Sequence, residues 1–592
     1  MGLLIGTSVV LGLWLGLSHS MTPYQQCLQT PSACTTNSTV YSAPMHTFGK
    51  SFFNPLVMTP MGYIRGLTWN SRNNKMYFAF LGIPYGIIQR RFGMSQPMQP
   101  WTGILDATKF GPMCIQTDMK TKMPIGAEHC LYLNVYAQQI APAHLMPVIV
   151  YMHGDSWQRG GGDQYNPKQF MDHPVVLVTI NYRLNAFGFL STGDGEAQGN
   201  MGMKDQAMAL MWVKNNIKGF GGDPERITLM GNEAGAASAH LHMMSPLTQG
   251  MFNQAISQSG SALCPWAIQT DPVSKTKMLA QWVNCDTSAN KAMIECLRRK
   301  SDHEIMQAQM HFGVDGWPMS EPMLVFGPVI EQSSWPSPFI TDHPKNLLMK
   351  GQVAGKPWIV GFNEDEGRYH SHPVVMDKTV CAMANSNWNK VAPISFLYDD
   401  NINQASKDTA SSKIHMFYLS GKPIEPERMW NYSNIYSDRL YKSGILDAVK
   451  MQSSMNDKVF PYVMKFRGDF SYSDWMHHTD MDPNKPMPAH KDELHYLFNW
   501  MQSPEIEAQS TSHDFSWKLV SLWASFAQMG YPAATWGTTR MWKPVNPANT
   551  MIEWYALDYD THLVMMGQDE VNRVGFWNSL PLQTTMVKSQ AW

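Results

Sequence analysis

The chain has 592 residues, and its 45 lysines and arginines nearly balance its 47 aspartates and glutamates, so the formal net charge is −2. Hydrophobic residues make up 44% of the sequence, which argues against an intrinsically disordered chain. The balanced charge predicts no nucleic-acid binding, because neutralising several phosphates requires a basic surface.

The N-terminal residues 2–17 form an apolar stretch, and Ser18 and Ser20 place small residues before a cleavage point ahead of Met21. This pattern predicts a secretory signal peptide over residues 1–20. The stretch carries no lysine or arginine, so an uncleaved anchor is the alternative, although the stretch is short for crossing a bilayer. We expect one mature domain at residues 21–592 that is secreted and extracellular, with no membrane span.

Eight cysteines in an exported chain favour disulfides between near neighbours. The pairs that close short loops are Cys27 with Cys34, Cys114 with Cys130, and Cys285 with Cys296. None of the cysteines has zinc-ligand spacing, so we expect no metal site. Two Asn-X-Ser/Thr triplets predict glycosylation of Asn37 and Asn431.

Four short runs rich in valine, isoleucine and leucine predict strands that are buried on both faces, at residues 148–151, 175–180, 227–230 and 358–360. Apolar residues between the second and third runs fall on one face of a helix predicted over residues 205–218. Strands that alternate with helices indicate an α/β fold with a large, mostly parallel central sheet and helices on both faces. The Ser/Asn-rich residues 385–413 are predicted to form a surface loop.

Residues 226–238 have a strand, a tight turn and a helix start of small residues, which is the pattern of a Gly-x-Ser-x-Gly nucleophile elbow. Gly231 and Gly235 occupy the two glycine positions, where the turn is strained and the helix packs closely on the strand. Glu233 stands where the elbow has its serine. Two spaced glycines alone would more often mark an ordinary strand-to-helix turn, so the other motifs decide the interpretation.

Those motifs resemble the type-B carboxylesterase and cholinesterase family of α/β-hydrolases, from about residue 55 to about residue 560. The segments that carry the resemblance are residues 80–85 (FLGIPY), 128–136 (EHCLYLNVY), 181–184 (NYRL), 199–202 (GNMG), 220–224 (FGGDP) and 258–260 (QSG). The resemblance implies an α/β-hydrolase fold, a triad acid at Glu366 and a triad histidine at His490. The order Glu233, Glu366, His490 matches the nucleophile, acid and histidine of this fold. The pairs Cys114–Cys130 and Cys285–Cys296 also match loops that the family closes by disulfides.

The family's oxyanion loop, His-Gly-Gly-Gly-Phe, is matched by residues 153–157, and the resemblance assigns the oxyanion hole to Gly154, Asp155, Ser156 and Ala234. Two of the loop's glycines are replaced, by Asp155 and Ser156. Their side chains are expected to restrict the approach of the backbone amides, and the Asp155 charge opposes a developing oxyanion.

Glu233 cannot act as the missing serine, because carboxylate attack on an ester gives a high-energy anhydride. We therefore expect a degenerate site in which Glu233 and Glu366 both stabilise protonated His490.

These departures predict a catalytically inactive, secreted, cholinesterase-like protein that acts in extracellular recognition or adhesion, similar to the neuroligin, glutactin and neurotactin members of the family. On this hypothesis the protein binds an extracellular protein partner, needs no cofactor, and pairs as a homodimer. Three alternatives stay open. The chain is a carrier of an apolar small-molecule ligand, a carboxylic ester hydrolase or other hydrolase with the altered nucleophile Glu233, or an esterase that uses Ser156 or Ser238.

Overall fold

The computed structural model describes residues 54–582, apart from residues 313–322, 401, 457, 477–486, 501–502, 534–541, 550 and 561. The predicted signal peptide at residues 1–20, the Cys27–Cys34 pair and Asn37 lie outside the described residues. Among the helices of the described ranges, none combines the length and the apolar composition that a bilayer crossing requires.

Twenty strands form in the described ranges. They are β1 (Leu56–Thr59), β2 (Gly62–Arg65), β3 (Leu67–Asn70), β4 (Met76–Pro84), β5 (Gly86–Ile87), β6 (Gln96–Pro97), β7 (Ile104–Asp106), β8 (Gln116–Thr117), β9 (Pro124–Ile125), β10 (Tyr132–Ala137), β11 (Met146–Met152), β12 (Tyr165–Asn166), β13 (Val176–Ile180), β14 (Gly222–Asn232), β15 (Gln254–Gln258), β16 (Trp358–Asn363), β17 (Val459–Met464), β18 (Asn499–Trp500), β19 (Glu553–Leu557) and β20 (His562–Met565).

The α-helices of the same ranges are α1 (Asn185–Phe189), α2 (Met201–Asn216), α3 (Ala234–Met244), α4 (Pro272–Trp282), α5 (Asn290–Arg299), α6 (Asp302–Gln309), α7 (Pro344–Met349), α8 (Arg368–Met376), α9 (Lys378–Ser386), α10 (Trp388–Ser395), α11 (Gln404–Leu419), α12 (Met429–Tyr436), α13 (Ser443–Ser453), α14 (Tyr472–Met476), α15 (Asp492–Leu497), α16 (Thr511–Met529) and α17 (Gln568–Ser579). A π-helix, Ser437–Lys442, joins α12 to α13.

Eleven strands form one sheet in the order β20-β19-β17-β16-β15-β14-β11-β13-β10-β4-β3. The seven strands from β13 to β19 in that order pair in parallel, and the pairs at both ends of the sheet are antiparallel. The predicted mostly parallel central sheet is confirmed.

The central strand β11 is buried at every position. Its alternate side chains enter two different cores: Val148 and Val150 pack on one face of the sheet, and Ile149 and Tyr151 pack on the other. Residues of α2 and α3 belong to the first core, and residues of α16 belong to the second. Helices therefore cover both faces, which explains why the strands are apolar runs rather than alternating ones.

The predicted helix over residues 205–218 begins earlier, at Met201, and ends at Asn216.

The predicted surface loop at residues 385–413 is wrong, because α10 and much of α11 lie there. The side chain of Asn403 caps α11 by accepting a hydrogen bond from the amide of Ser406, and Ala410 and Ile414 are buried. The polar composition of this region thus reflects a helix cap and an exposed helix face.

The carboxyl ends of the parallel strands lie at one edge of the sheet and position the site. Residues 153–157 follow β11, Glu233 follows β14, and Glu366 follows β16. A parallel bridge between Asp365 and Ala489 brings the segment that carries His490 to the same edge.

Gly231 and Gly235 allow α3 to lie against the sheet. A β-carbon at Gly235 would be 2.0 Å from the carbonyl oxygen of Met152, and one at Gly231 would be 2.3 Å from the backbone of Gly235. The chain therefore requires glycine at both positions.

Two disulfides lie in the described part of the chain, Cys114–Cys130 and Cys285–Cys296. Cys264 and Cys381 are free thiols.

We expect Gly235→Ala to destabilise the fold by about 2 kcal/mol or more, because backbone atoms of β11 have to move to admit the methyl group. Gly575→Ala is the matched control. Gly575 lies on an exposed position of α17, where a β-carbon would meet no atom within 4 Å, so this change should stabilise the helix by up to about 1 kcal/mol. Urea unfolding followed by tryptophan fluorescence measures both, and equal stability of Gly235→Ala and wild type would contradict the close-packing argument.

Candidate active site

Glu233 occupies the tip of a strained turn between β14 and α3. Its backbone has φ 53° and ψ −110°, and its amide donates to the carbonyl of Gln258 at 2.8 Å. Such a conformation is rarely adopted by residues other than glycine, and it is held here by packing on both sides. The sequence therefore keeps the geometry of a nucleophile elbow while it replaces the serine.

The Glu233 carboxylate is held by the oxyanion loop. Its Oε2 accepts from the backbone amide of Ser156 at 2.8 Å, and its Oε1 accepts from the Ser156 hydroxyl at 2.6 Å. The side chain is almost fully buried, with 2% of its surface exposed. The expected stabilisation of His490 by Glu233 is thus replaced by two bonds to Ser156, because the longer glutamate side chain reaches the neighbouring loop.

The oxyanion loop keeps the backbone of a glycine-rich loop despite its side chains. Asp155, Ser156 and Trp157 have φ values of 61°, 55° and 55°, a region that costs roughly 1–2 kcal/mol for each residue with a β-carbon. Trp157 is fully buried, and its indole donates to the Ser238 hydroxyl at 3.0 Å, which anchors the loop. The amide of Ser156 consequently points at the elbow side chain, contrary to the expectation that side chains here would restrict its approach.

The charge of Asp155 is neutralised by Lys491, the residue after His490. The Lys491 ammonium contacts the Asp155 carboxylate, and it lies 5.3 Å and 5.2 Å from the ring centres of Tyr369 and Tyr472. Burial alone would raise the pKa of Asp155, but Lys491 and Arg159 lower it to about 2. Asp155 is therefore half of a largely buried ion pair rather than an uncompensated charge beside the oxyanion hole.

His490 and Glu366 form the pair that the resemblance implies. The Nδ1 atom of His490 lies 2.5 Å from Oε2 of Glu366. The other oxygen of Glu366 accepts from the Ser259 hydroxyl at 2.5 Å and from the Asn363 amide at 2.7 Å. Three partners thus fix the carboxylate, and the carboxylate fixes the orientation of the imidazole.

One small cavity joins these groups. It is lined by Ser156, Glu233, Tyr369, Tyr441 and His490, and its volume of about 20 Å³ accommodates one water molecule. Ser238 is fully buried below the loop and is engaged by Trp157, so it is not placed to act as a nucleophile. Across the described ranges, no group of three or more His, Cys, Asp or Glu side chains is arranged to hold a metal ion.

Glu493 is a member of the site that the sequence analysis did not identify. Asn232 donates to one of its oxygens at 2.5 Å, and Asn363 donates to the other. Burial and the charge of Glu366 raise the pKa of Glu493 from 4.5 to about 7. A single sequence gives no signal for this, because the shift depends on which strands bring Asn232, Asn363 and Glu366 together.

Glu493 should make the protein less stable as the pH rises. Its pKa is higher in the folded chain than in the unfolded one, so its contribution is fully present below pH 4.5 and is lost as the pH rises through about 7. We expect the free energy of unfolding of Glu493→Gln to fall less between pH 4.5 and 8 than that of wild type. Urea unfolding across this range gives both slopes, and identical slopes would contradict the assignment.

Comparison with known proteins places these features in a family. The model of the carboxylesterase family matches residues 54–577. The venom carboxylesterase-6 of Apis mellifera is 34% identical over 536 residues, which cover 89% of this chain and 94% of that protein. The juvenile hormone esterase of Tribolium castaneum is 33% identical over 555 residues, which cover 88% of this chain and 93% of that protein. Esterase FE4 of Myzus persicae is 34% identical over 512 residues, which cover 84% of this chain and 88% of that protein.

A solved structure shows the same fold. The crystal structure of juvenile hormone esterase from Manduca sexta, with OTFP covalently attached, superposes with a TM-score of 0.77 at 23% identity, covering 89% of this chain and 99% of that one.

These findings overturn the expectation of a non-catalytic recognition or adhesion molecule, because relatives that align over most of the chain are named as esterases. Two physical objections to catalysis were also wrong, since the Ser156 amide faces the elbow and Lys491 compensates Asp155. The chain belongs to the carboxylesterase family.

Proposed function

We propose that this protein hydrolyses carboxylic esters, and that a water molecule replaces the missing serine as the nucleophile. The proposal is carried by the buried His490–Glu366 pair, which lies at the same small cavity as the elbow residue. An imidazole held by a carboxylate can activate water as readily as a hydroxyl, so the base survives the loss of the serine. The relatives named as esterases support the same reaction class.

In the proposed reaction, His490 takes a proton from the water as the water oxygen bonds to the acyl carbon of the ester. Glu366 stabilises the imidazolium that forms. When the tetrahedral intermediate collapses, the bond to the alkoxy oxygen breaks and His490 passes the proton to that oxygen. The products are one carboxylic acid and one alcohol, and no anhydride with Glu233 is required.

The proposed oxyanion donors are the amides of Ser156 and Ala234. The Ser156 amide is directed at the elbow, and Ala234 is the first residue of α3, where the backbone amides have no acceptor within the helix. In the resting state the Ser156 amide is bonded to Oε2 of Glu233. A bound ester would take over that donor with its carbonyl oxygen, which frees the carboxylate to accept a hydrogen bond from the attacking water.

A second candidate uses Ser156 as the nucleophile and Glu233 as its base. The observation that favours it is the 2.6 Å hydrogen bond between Oγ of Ser156 and Oε1 of Glu233. A nucleophile and a base within hydrogen-bonding reach are the minimum arrangement for covalent catalysis. In this route Glu233 takes the proton of the Ser156 hydroxyl as Oγ bonds to the acyl carbon, and the alcohol leaves with that proton when the ester bond breaks. His490 then activates the water that cleaves the acyl-serine, which releases the carboxylic acid and restores the Ser156 hydroxyl.

We also propose that the protein is exported. The apolar N-terminal stretch and the two disulfides fit an oxidising compartment. Glycosylation of Asn431, which is exposed on α12, stays a prediction, as do the homodimer and the single mature domain.

We expect the purified protein to hydrolyse 4-nitrophenyl acetate, and we expect His490→Ala to reduce kcat/KM by about a hundredfold or more, the usual contribution of a general base. His303→Ala is the control, because His303 is an exposed histidine that pairs with Asp302 away from the site. A wild-type rate no greater than that of His490→Ala would contradict ester hydrolysis at this site.

Ser156→Ala separates the two routes, because it removes the hydroxyl but keeps the backbone amide. The water route predicts that kcat/KM stays within about tenfold of wild type, since the oxyanion donor remains. The Ser156 route predicts a loss of about a thousandfold. The rate of 4-nitrophenyl acetate hydrolysis therefore decides between them, and the larger loss would overturn attack by water.

A further inference from the structure

A second, larger cavity lies beside the candidate active site. It is lined in part by Leu263, Cys264, Ile268, Leu397, Ile402 and Arg439, and we call it the Arg439 cavity. Its volume of about 250 Å³ is more than ten times that of the cavity between Glu233 and His490. Most of its wall is apolar, so it suits a molecule with a hydrocarbon chain.

Arg439 brings a positive charge to this cavity. Its Nε donates to the carbonyl of Phe396 at 2.9 Å, and its Nη2 donates to the carbonyl of Leu397 at 3.2 Å. The guanidinium also lies 5.4 Å from the ring centre of Trp577. These contacts fix the group, but they are all to neutral partners, and a guanidinium has five N–H donors, so several remain for another acceptor.

The acidic side chains closest to Arg439 in the sequence contact other residues. Asp438 accepts from Arg573 at 2.8 Å and from the Tyr418 hydroxyl at 2.8 Å. Asp399 pairs with Lys407, and Asp400 pairs with Lys275. Within the described ranges, no aspartate or glutamate forms an ion pair with Arg439.

The other titratable groups at the cavity are neutral near pH 7. Burial raises the pKa of the Cys264 thiol to about 12 and lowers that of His343. Burial also lowers the pKa of Arg439, but only to about 10, so the guanidinium stays charged. Among the residues that the structure describes, no carboxylate balances the positive charge at this cavity, and burying such a charge without an anion is costly.

We propose that the Arg439 cavity binds an amphiphilic monocarboxylate, with the carboxylate on the Arg439 guanidinium and the hydrocarbon chain along Leu263, Ile268 and Ile402. The planar guanidinium matches a carboxylate in two parallel hydrogen bonds, which a neutral alcohol of the same length cannot form. This binding does not depend on ester hydrolysis.

The cavity is separated from the candidate active site by a single wall. The Cys264 thiol, on the Arg439 side, donates to the Tyr441 carbonyl at 3.7 Å, while the Tyr441 side chain lines the cavity of Glu233 and His490. The two cavities are thus neighbours that share no lining residue, and they can be tested independently.

Calorimetric titration of the whole protein with octanoate and with octan-1-ol tests the proposal. Wild type should bind octanoate at least about tenfold more tightly than octanol, the difference expected for hydrogen bonds to a charged group. Arg439→Met should weaken octanoate binding by about tenfold or more and leave octanol binding nearly unchanged. Ile402→Trp, which fills the cavity and leaves Arg439 in place, should weaken both.

His490→Ala is the control for the neighbouring site and should bind octanoate as wild type does. If Arg439→Met fails to fold, the comparison of wild type with Ile402→Trp and His490→Ala carries the test. The proposal is overturned if wild type does not bind octanoate, if octanol binds equally well, if folded Arg439→Met retains full affinity, or if His490→Ala abolishes binding.

Discussion

The close seating of α3 on β11 and β14 is the constraint on which the site depends. Gly235 brings the helix so near the carbonyl of Met152 that a methyl group does not fit between them. This contact fixes where β14 has to turn, and the turn forces Glu233 into its left-handed conformation. Because β11 leads directly into the oxyanion loop, the same contact sets the distance between Glu233 and Ser156. The elbow is therefore a property of the backbone, and it survives the loss of the serine.

Four carboxylates lie close together around this turn, and each has its own donors. Asp155 pairs with Lys491, Glu366 with His490, and Glu233 with Ser156. Glu493 receives two asparagine amides and keeps its proton to a higher pH than an exposed glutamate. Buried charges are tolerated when each is paired or hydrogen-bonded. The fold therefore accommodates four neighbouring carboxylates that would otherwise repel one another.

The sequence predicted the features that depend on local pattern. The apolar runs located the central strands, the glycines at 231 and 235 located the elbow, and the resemblance located His490 beside Glu366. It failed where the outcome depends on contacts between distant segments. Lys491 and Asp155 are 336 positions apart, so the sequence does not show that Lys491 neutralises the charge of Asp155. The left-handed backbone of Ser156 is imposed by tertiary packing, which overrides the preference of a residue with a β-carbon.

The length of the Glu233 side chain argues for its role. An aspartate would hold its carboxylate near the elbow tip, whereas the extra methylene carries the carboxylate to the amide and hydroxyl of Ser156. In that position the carboxylate occupies the donor that an oxyanion needs, and it is drawn away from the place where a nucleophile would attack. Glu233 is thus better suited to bind the loop and a water molecule than to form a covalent bond with an acyl group. The reaction then rests on His490 and Glu366, whose geometry does not require a serine.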